Sequence, residues 1–86
     1  MATTKRISPV AMSLGFVIER LRKERGWQIL TLSERTSFNR GYLGELEKGY
    51  STPTLETLFT LASAFGVRPS EMLREAEERL PGKWPS

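Results

Sequence analysis

The sequence predicts an all-α fold in which five short helices form one compact bundle. Apolar residues recur every three or four positions in five segments, the spacing that places them on one face of a helix. Gly26, Gly49 and Gly66 each follow such a segment, as glycines that end helices do. No segment shows the alternating pattern of a strand. A length of 86 residues suits a single domain.

Helices 1 and 2 are predicted from their apolar spacing. Helix 1 extends from about Ser13 to Arg25, and its apolar stripe consists of Leu14, Val17, Ile18 and Leu21. Helix 2 is short, from about Ile29 to Thr36, with Leu32 as its core residue.

The three later helices have clear start signals. Helix 3 begins after Asn39, a good N-cap, and ends at Lys48. Helix 4 extends from Thr54 to about Phe65, and its predicted buried stripe is Leu55, Leu58, Phe59, Ala62 and Phe65. Helix 5 extends from Pro69, whose missing N–H costs nothing in a first turn, to about Arg79. Its apolar face is formed by Met72, Leu73, Ala76 and Leu80.

The composition excludes several kinds of site. The chain has no cysteine and no histidine, so it lacks disulfides, thiolate and imidazole metal ligands, and the commonest general base. No apolar run approaches the roughly 18–20 residues that span a bilayer, and the N-terminal segment lacks the long apolar core of a secretory signal. We therefore expect a cytoplasmic protein that is not an enzyme and uses no metal, cofactor, small-molecule ligand or membrane.

The basic residues are concentrated in the first part of the chain. The net charge is +3, and residues 1–50 hold nine Lys and Arg against five Glu, whereas residues 51–86 hold four against five. A basic half of a small protein is a candidate surface for a polyanion such as nucleic acid. Charge alone does not establish that partner, because many basic domains bind nothing anionic.

Helices 2 and 3, joined by a turn around Ser37 and Phe38, have the lengths of a helix-turn-helix unit. On a helical wheel, one face of helix 3 carries the core residues Tyr42, Leu43 and Leu46, and the outward face carries Arg40, Gly41, Gly44, Glu45 and Lys48. Each glycine inside a helix costs about 1 kcal/mol relative to alanine. The bare face either lets the helix approach the DNA major groove, which is about 12 Å wide, or merely relaxes a surface helix.

The residues at the start of helix 3 are candidate base contacts. The first turn of a recognition helix reaches base edges most easily, and the guanidinium of Arg40 can bond both O6 and N7 of guanine. Glu45 either accepts a hydrogen bond from a cytosine amine or pairs with Lys48. Asn39 is first a helix cap, with a phosphate or adenine contact as a second role.

Residues outside helix 3 complete the candidate surface and its support. The loop Tyr50-Ser51-Thr52 offers hydroxyls and backbone N–H groups that suit phosphate oxygens, unless it is an ordinary solvated loop. Arg22 of helix 1 and Glu47 of helix 3 both lie beside the core faces of their helices. A partly buried ion pair between them would hold helix 3 against helix 1 as part of the scaffold.

The sequence resembles the lambda-repressor/Cro-like (Xre-type) helix-turn-helix family. The resemblance covers about Leu14 to Leu73 without insertion or deletion, and it is carried by LGFVIERLRKERGW, LTLSERTSFNRGYLGELEKG, PTLETLFTLASAFGV and PSEML. It implies five helices, major-groove docking of helix 3, and a homodimeric regulator on a near-palindromic double-stranded DNA operator. It also implies base-facing positions for Arg40, Gly41, Gly44 and Glu45, and positions near phosphates for Tyr50, Ser51 and Thr52. Lys48, on the outward face of helix 3, is a further candidate phosphate contact. The Arg22–Glu47 pair falls where the family usually places its buried salt bridge.

The chain departs from the family pattern in several places. The family commonly starts helix 2 with a Ser-Gln pair whose Gln is held to phosphate. Here the pair is Gln28-Ile29, so Gln28 is the candidate phosphate contact because Ile29 cannot donate a hydrogen bond. Ser37 replaces the glycine of the turn, which implies a strained backbone there. Phe16 stands at a usually polar position, as a contact for the N-terminal arm or a partner chain, or as an isolated surface residue.

The chain is expected to divide into an N-terminal arm over residues 1–11, the helix-turn-helix domain over residues 12–80, and a tail over residues 81–86. Self-association must then come from outside the helix-turn-helix unit. The expected dimer contacts are Leu73, Leu80 and Trp84. Three alternative functions remain: an antitoxin, a controller of a restriction–modification operon, and a helical adaptor without DNA binding.

Overall fold

The computed structural model describes residues 8–80, which contain five α-helices and no strand. The helices are α1 (Pro9–Glu24), α2 (Ile29–Thr36), α3 (Arg40–Lys48), α4 (Leu55–Phe65) and α5 (Pro69–Glu78). The predicted all-α fold of five helices is therefore confirmed. Within this part of the chain, no helix combines the length and the apolar character that crossing a bilayer requires.

The first helix begins at Pro9, so the predicted start near Ser13 is four residues late. Ser8 has an extended backbone, and its hydroxyl accepts a hydrogen bond from the backbone N–H of Ala11 at 3.0 Å. Pro9 follows in the first turn, where proline needs no hydrogen-bond partner. Residues 9–11, which the expected arm included, therefore lie in α1.

The core lies where α1 packs against α3, α4 and α5, and α2 packs against α3 and α4. Its most deeply buried large side chains come from all five: Val17, Ile18, Leu32, Leu43, Leu46, Leu61 and Met72. Trp27, Phe38 and Tyr42 pack partly buried against this cluster. Each helix therefore contributes one apolar face, as the spacing of apolar residues predicts.

Two residues predicted as core are exposed instead. Leu55 and Phe59 are 70% and 59% exposed, whereas Leu61, absent from the predicted stripe, is fully buried. At about 100° per residue, Leu55 and Phe59 lie on one flank of the buried Leu58, and Leu61 lies on the other. The helices of residues 8–80 cover the Leu61 side and leave the Leu55 side open.

The first helix approaches α3 closely at Gly15. A Cβ atom added there would lie against the carbonyl oxygen of Leu46 and 2.6 Å from that of Glu47. Real Cβ atoms do not come that close to backbone oxygens, so only glycine lets the two helices meet at this separation. Gly15 therefore sets the position of α3 on α1.

The last helix is tied to α1 by charged side chains. Arg20 donates from Nε and from a terminal guanidinium nitrogen to the two carboxylate oxygens of Glu75, at 2.6 and 2.5 Å. These hydrogen bonds lower the pKa of the Glu75 carboxyl below its ordinary value. The guanidinium of Arg79 lies over the ring of Phe16, 3.6 Å from its centroid. Phe16 is thus covered in part by α5 of its own chain.

Candidate nucleic-acid interface

The turn between α2 and α3 is held by side chains of α2. Thr36 donates its hydroxyl hydrogen to the carbonyl of Leu32 at 2.8 Å and accepts from the N–H of Phe38 at 3.2 Å. Ser33 donates to the carbonyl of Phe38 at 2.5 Å. Ser37 adopts the left-handed conformation, with φ 65° and ψ 16°. Ser37 therefore has the strained backbone that the sequence predicts, and this left-handed conformation sets the direction in which α3 leaves the turn.

The first turn of α3 is capped by Asn39. Its side-chain oxygen accepts from the N–H groups of Gly41 at 2.7 Å and Tyr42 at 3.3 Å. Its expected role as a cap is thus present, and that oxygen is engaged inside the helix. Arg40 follows it, is exposed, and forms no ion pair with any other residue of 8–80. Arg40 therefore places a positive charge, unpaired within residues 8–80, at the N-terminal end of α3.

The two glycines of α3 have different surroundings. An added Cβ at Gly41 would lie 3.0 Å from the capping oxygen of Asn39, so the cap itself favours glycine there. An added Cβ at Gly44 would meet no heavy atom within 4 Å. Packing within residues 8–80 therefore gives no reason for glycine at position 44.

The loop after α3 folds back onto Glu45. The hydroxyl of Ser51 donates to a carboxylate oxygen of Glu45 at 3.4 Å, and the N–H of Tyr50 donates to the Glu45 carbonyl at 2.9 Å. The sequence predicts a base or Lys48 as the partner of Glu45 and does not reveal Ser51, because a contact across a loop has no helical spacing. Lys48, Tyr50 and Thr52 are exposed beside it. The expected phosphate contacts of this loop therefore lie next to the expected base contacts of α3.

The start of α2 departs from the Ser-Gln pair that is common in the family. Gln28 is exposed at the N-cap position, and its side chain makes no capping hydrogen bond. Ile29, which takes the place of the usual Gln, packs partly buried against the core. An apolar residue at this position therefore stabilises α2 from inside.

The ion pair suggested for Arg22 and Glu47 is present in the structure. Arg22 donates from Nε and from a terminal guanidinium nitrogen to the two oxygens of Glu47, at 2.7 and 2.9 Å. The other terminal nitrogen donates to the carbonyl of Trp27 at 2.9 Å. The hydrogen bonds to Glu47 raise the pKa of Arg22 above its ordinary value. This one guanidinium joins α1, α3 and the turn before α2.

The residues expected at a dimer contact are only partly within the described range. Leu73 is exposed on α5, and Leu80 is partly buried beside it. Both border an apolar groove between α1 and α5, together with Val10, Leu14, Ala76 and Glu77. Trp84, like residues 1–7 and the rest of the tail over residues 81–86, lies outside the described residues.

The chain is similar to known regulators over most of its length. A family model described as helix-turn-helix matches residues 18–72. The HTH-type transcriptional regulator SutR of Escherichia coli is 31% identical over 72 residues, which cover 84% of this chain and 40% of SutR. The uncharacterized HTH-type transcriptional regulator y4dJ of Sinorhizobium fredii is 37% identical over 65 residues, which cover 76% of this chain and 84% of y4dJ. The match thus spans less than half of SutR but most of y4dJ.

The fold is similar to that of a solved regulator. The crystal structure of the clp gene regulator ClgR from Corynebacterium glutamicum matches with a TM-score of 0.79 and 27% sequence identity. The match covers 86% of this chain and 96% of that chain. The similarity therefore extends beyond the two helices of the turn to the whole bundle.

Proposed function

Because this chain belongs to the helix-turn-helix family of transcriptional regulators, of the lambda-repressor/Cro-like (Xre) type, we propose that it binds a near-palindromic operator as a homodimer. In this function α3 enters the major groove of double-stranded DNA and α2 lies across its entrance. The chain works in the cytoplasm, without catalysis and without a cofactor. A twofold dimer would set two α3 helices about one DNA turn, roughly 34 Å, apart.

The observation that carries this proposal is the empty space at Gly44. Glycine inside a helix costs about 1 kcal/mol relative to alanine, and no contact within residues 8–80 accounts for that cost. The same helix face carries the exposed Arg40 one turn earlier. A surface that comes close to α3 and attracts a cation explains both residues, and the floor of the major groove is such a surface.

Base contacts come from the first half of α3 in this proposal. Arg40 donates to O6 and N7 of a guanine, and Gly41 and Gly44 let the helix axis approach the bases. Glu45 accepts from a cytosine amine while Ser51 supports its carboxylate. Asn39 contributes only its amide N–H groups, because its oxygen is held by the cap.

In this proposal, phosphate contacts surround the base-contacting residues of α3 and fix the position of the helix along the duplex. Lys48, Tyr50 and Thr52 are exposed in or beside the loop after α3, and Gln28 is exposed at the start of α2. Hydroxyl, amide and ammonium groups of this kind bind phosphate oxygens without reading sequence. Ser51 adds a backbone N–H to the same loop. The contacts therefore come from both ends of the helix-turn-helix unit, as clamping α3 in the groove requires.

The proposal is tested by selecting bound sequences from random duplex DNA with the full chain. We expect enrichment of an inverted repeat whose half-sites lie about 10 base pairs apart, centre to centre, and contain a G·C pair opposite Arg40. Recovery of no common sequence would contradict a sequence-specific operator. Recovery of a single, unrepeated half-site would contradict the homodimer but would still agree with base recognition by α3.

A further inference from the structure

We propose that the exposed face of α4 around Leu55 and Phe59 is the surface through which two copies of this chain form their dimer. This inference rests on the homodimer of the proposed function and names its contact. It differs from the α5 contact that the sequence suggested, which centred on Leu73.

The α4 face carries the two most exposed large apolar side chains of residues 8–80. Leu55 and Phe59 are 70% and 59% exposed, more than any other large apolar side chain of residues 8–80. They are four residues apart and so form one ridge on the helix. Phe16, another exposed aromatic residue, has the guanidinium of Arg79 stacked on it. A partner that covers the α4 ridge would therefore remove a large apolar surface from water, which favours association.

The shape of this face suits a second copy of itself. Phe59 stands between two shallow grooves, one bordered by Leu55, Glu56 and Thr60, and the other by Arg35, Thr60, Ser63 and Ala64. When two α4 helices cross antiparallel about a twofold axis near Phe59 and Thr60, Leu55 meets the partner's Ala64 and Phe59 meets the partner's Thr60. Large side chains thus fill the grooves over small ones, as packed helices require.

The charges beside the ridge fit the same arrangement. Glu56 borders the groove on one side of Phe59, and Arg35 borders the groove on the other side. The Arg35 guanidinium is held there over the ring of Trp27, 4.3 Å from its centroid. The twofold axis brings Glu56 to the partner's Ser63, in the groove that Arg35 borders. The carboxylate of Glu56 in each copy therefore lies near the Arg35 guanidinium of the other copy. A face with balanced charge suits a protein copy better than DNA, which is uniformly anionic.

The groove between α1 and α5 lacks this complementarity. Its border of apolar residues contains Glu77 as the one charged residue among those described. Among these bordering residues there is no base to pair with Glu77 across a twofold contact, so its carboxylate would lose water without gaining a partner. The α4 face is therefore the better contact for two identical chains.

The first experiment is sedimentation equilibrium of the full chain and two matched variants without DNA. The wild-type chain is expected at twice its mass of 9.8 kDa, and Phe59→Glu is expected to weaken dimerisation by about 100-fold. Leu73→Glu, the same change at an exposed position of α5, is expected to leave the dimer intact. Circular dichroism and urea unfolding above and below the dimerisation range verify that each variant is folded. A dimeric Phe59→Glu, or a monomeric Leu73→Glu, would overturn the α4 contact.

A charge exchange tests the same contact without altering its apolar ridge. Glu56→Arg is expected to weaken the dimer by about 10-fold, since it places two bases together, and adding Arg35→Glu is expected to restore most of that loss. No recovery in the double variant would contradict the antiparallel crossing. A wild-type chain that sediments as a monomer at high micromolar concentration would remove the homodimer itself. Loss of the α4 contact alone leaves a wild-type dimer, so the two failures are distinguishable.

Discussion

Gly15 and Gly44 are helix-interior glycines with opposite surroundings, and they predict opposite effects of the same substitution. Gly15→Ala places a methyl group against the backbone of α3, so we expect a loss of about 1–3 kcal/mol in the free energy of unfolding. Gly44→Ala meets open space and should raise that free energy by about 0.5–1 kcal/mol while weakening operator binding. Urea unfolding and DNA titration measure both. A Gly44→Ala variant that binds DNA as well as wild type would remove the reason given for that glycine.

Ser37 holds a backbone conformation that L-residues disfavour. Ser37→Gly relieves that strain at φ 65°, and we expect the free energy of unfolding to rise by about 0.5–1 kcal/mol. Ser63→Gly is the matched control, because Ser63 is exposed inside α4 and glycine should destabilise a helix interior by a similar amount. Equal effects of the two substitutions would show that the turn is unstrained.

Arg40 is the residue proposed to recognise one specific base pair of the operator. Arg40→Ala should weaken operator binding by about 1–3 kcal/mol and remove the preference for one G·C pair. Arg74→Ala removes an arginine of α5 that is also exposed and should leave that preference unchanged. Competition binding against operators substituted one base pair at a time gives the answer. An unaltered preference profile in Arg40→Ala would assign the reading to other residues.

We expect the contact between α1 and α5 to weaken at low pH. The pKa of Glu75 is lowered in the folded chain by its hydrogen bonds with Arg20, so the carboxylate contributes stability above its unfolded pKa. That contribution is lost as the pH falls through the folded value. We expect the free energy of unfolding to decrease below about pH 4.5, and to decrease less steeply in Glu75→Gln. Identical acid slopes for wild type and variant would show that the pair adds nothing.

The sequence predicts the number of helices and most of their ends, because apolar spacing, caps and glycines are local signals. It fails where a feature depends on distant residues. The contact of Gly15 with α3 and the hydrogen bond between Ser51 and Glu45 join segments that are not helical neighbours. Leu55 and Phe59 follow the spacing of a buried stripe but are exposed. Hydrophobic spacing cannot distinguish a core from a surface that a partner covers.

For the candidate site, the residue types were predictable and their connections were not. The outward face of α3 follows from a wheel with 3.6 residues per turn, and the exposure of Arg40 agrees with it. The sequence does not distinguish the two glycines of α3, whereas the fold does, since Gly41 lies beside its own cap and Gly44 does not. Ile29 turns towards the core, and only the packing of α2 reveals why an apolar residue stands there.

Charge is distributed unevenly along the chain. Residues 1–50 carry the basic excess, and the α3 surface lies within them. We therefore expect operator affinity to fall linearly on a plot of log K against log salt, because each neutralised phosphate releases counterions with a slope of about −0.9. Fluorescence titrations between low and moderate salt measure that slope. A flat plot would indicate that the main partner is uncharged, and Lys48→Ala should reduce the slope by about one unit.

The hydrogen bond between Ser51 and Glu45 links two tasks that are usually discussed separately. Ser51 belongs to the loop proposed to grip the sugar–phosphate chain, and Glu45 belongs to the row proposed to discriminate among bases. Mutational effects at these two positions will therefore not add, because each side chain is part of the other's environment. At this pair of residues, the affinity for duplex DNA and the specificity for one sequence are therefore coupled and cannot change independently.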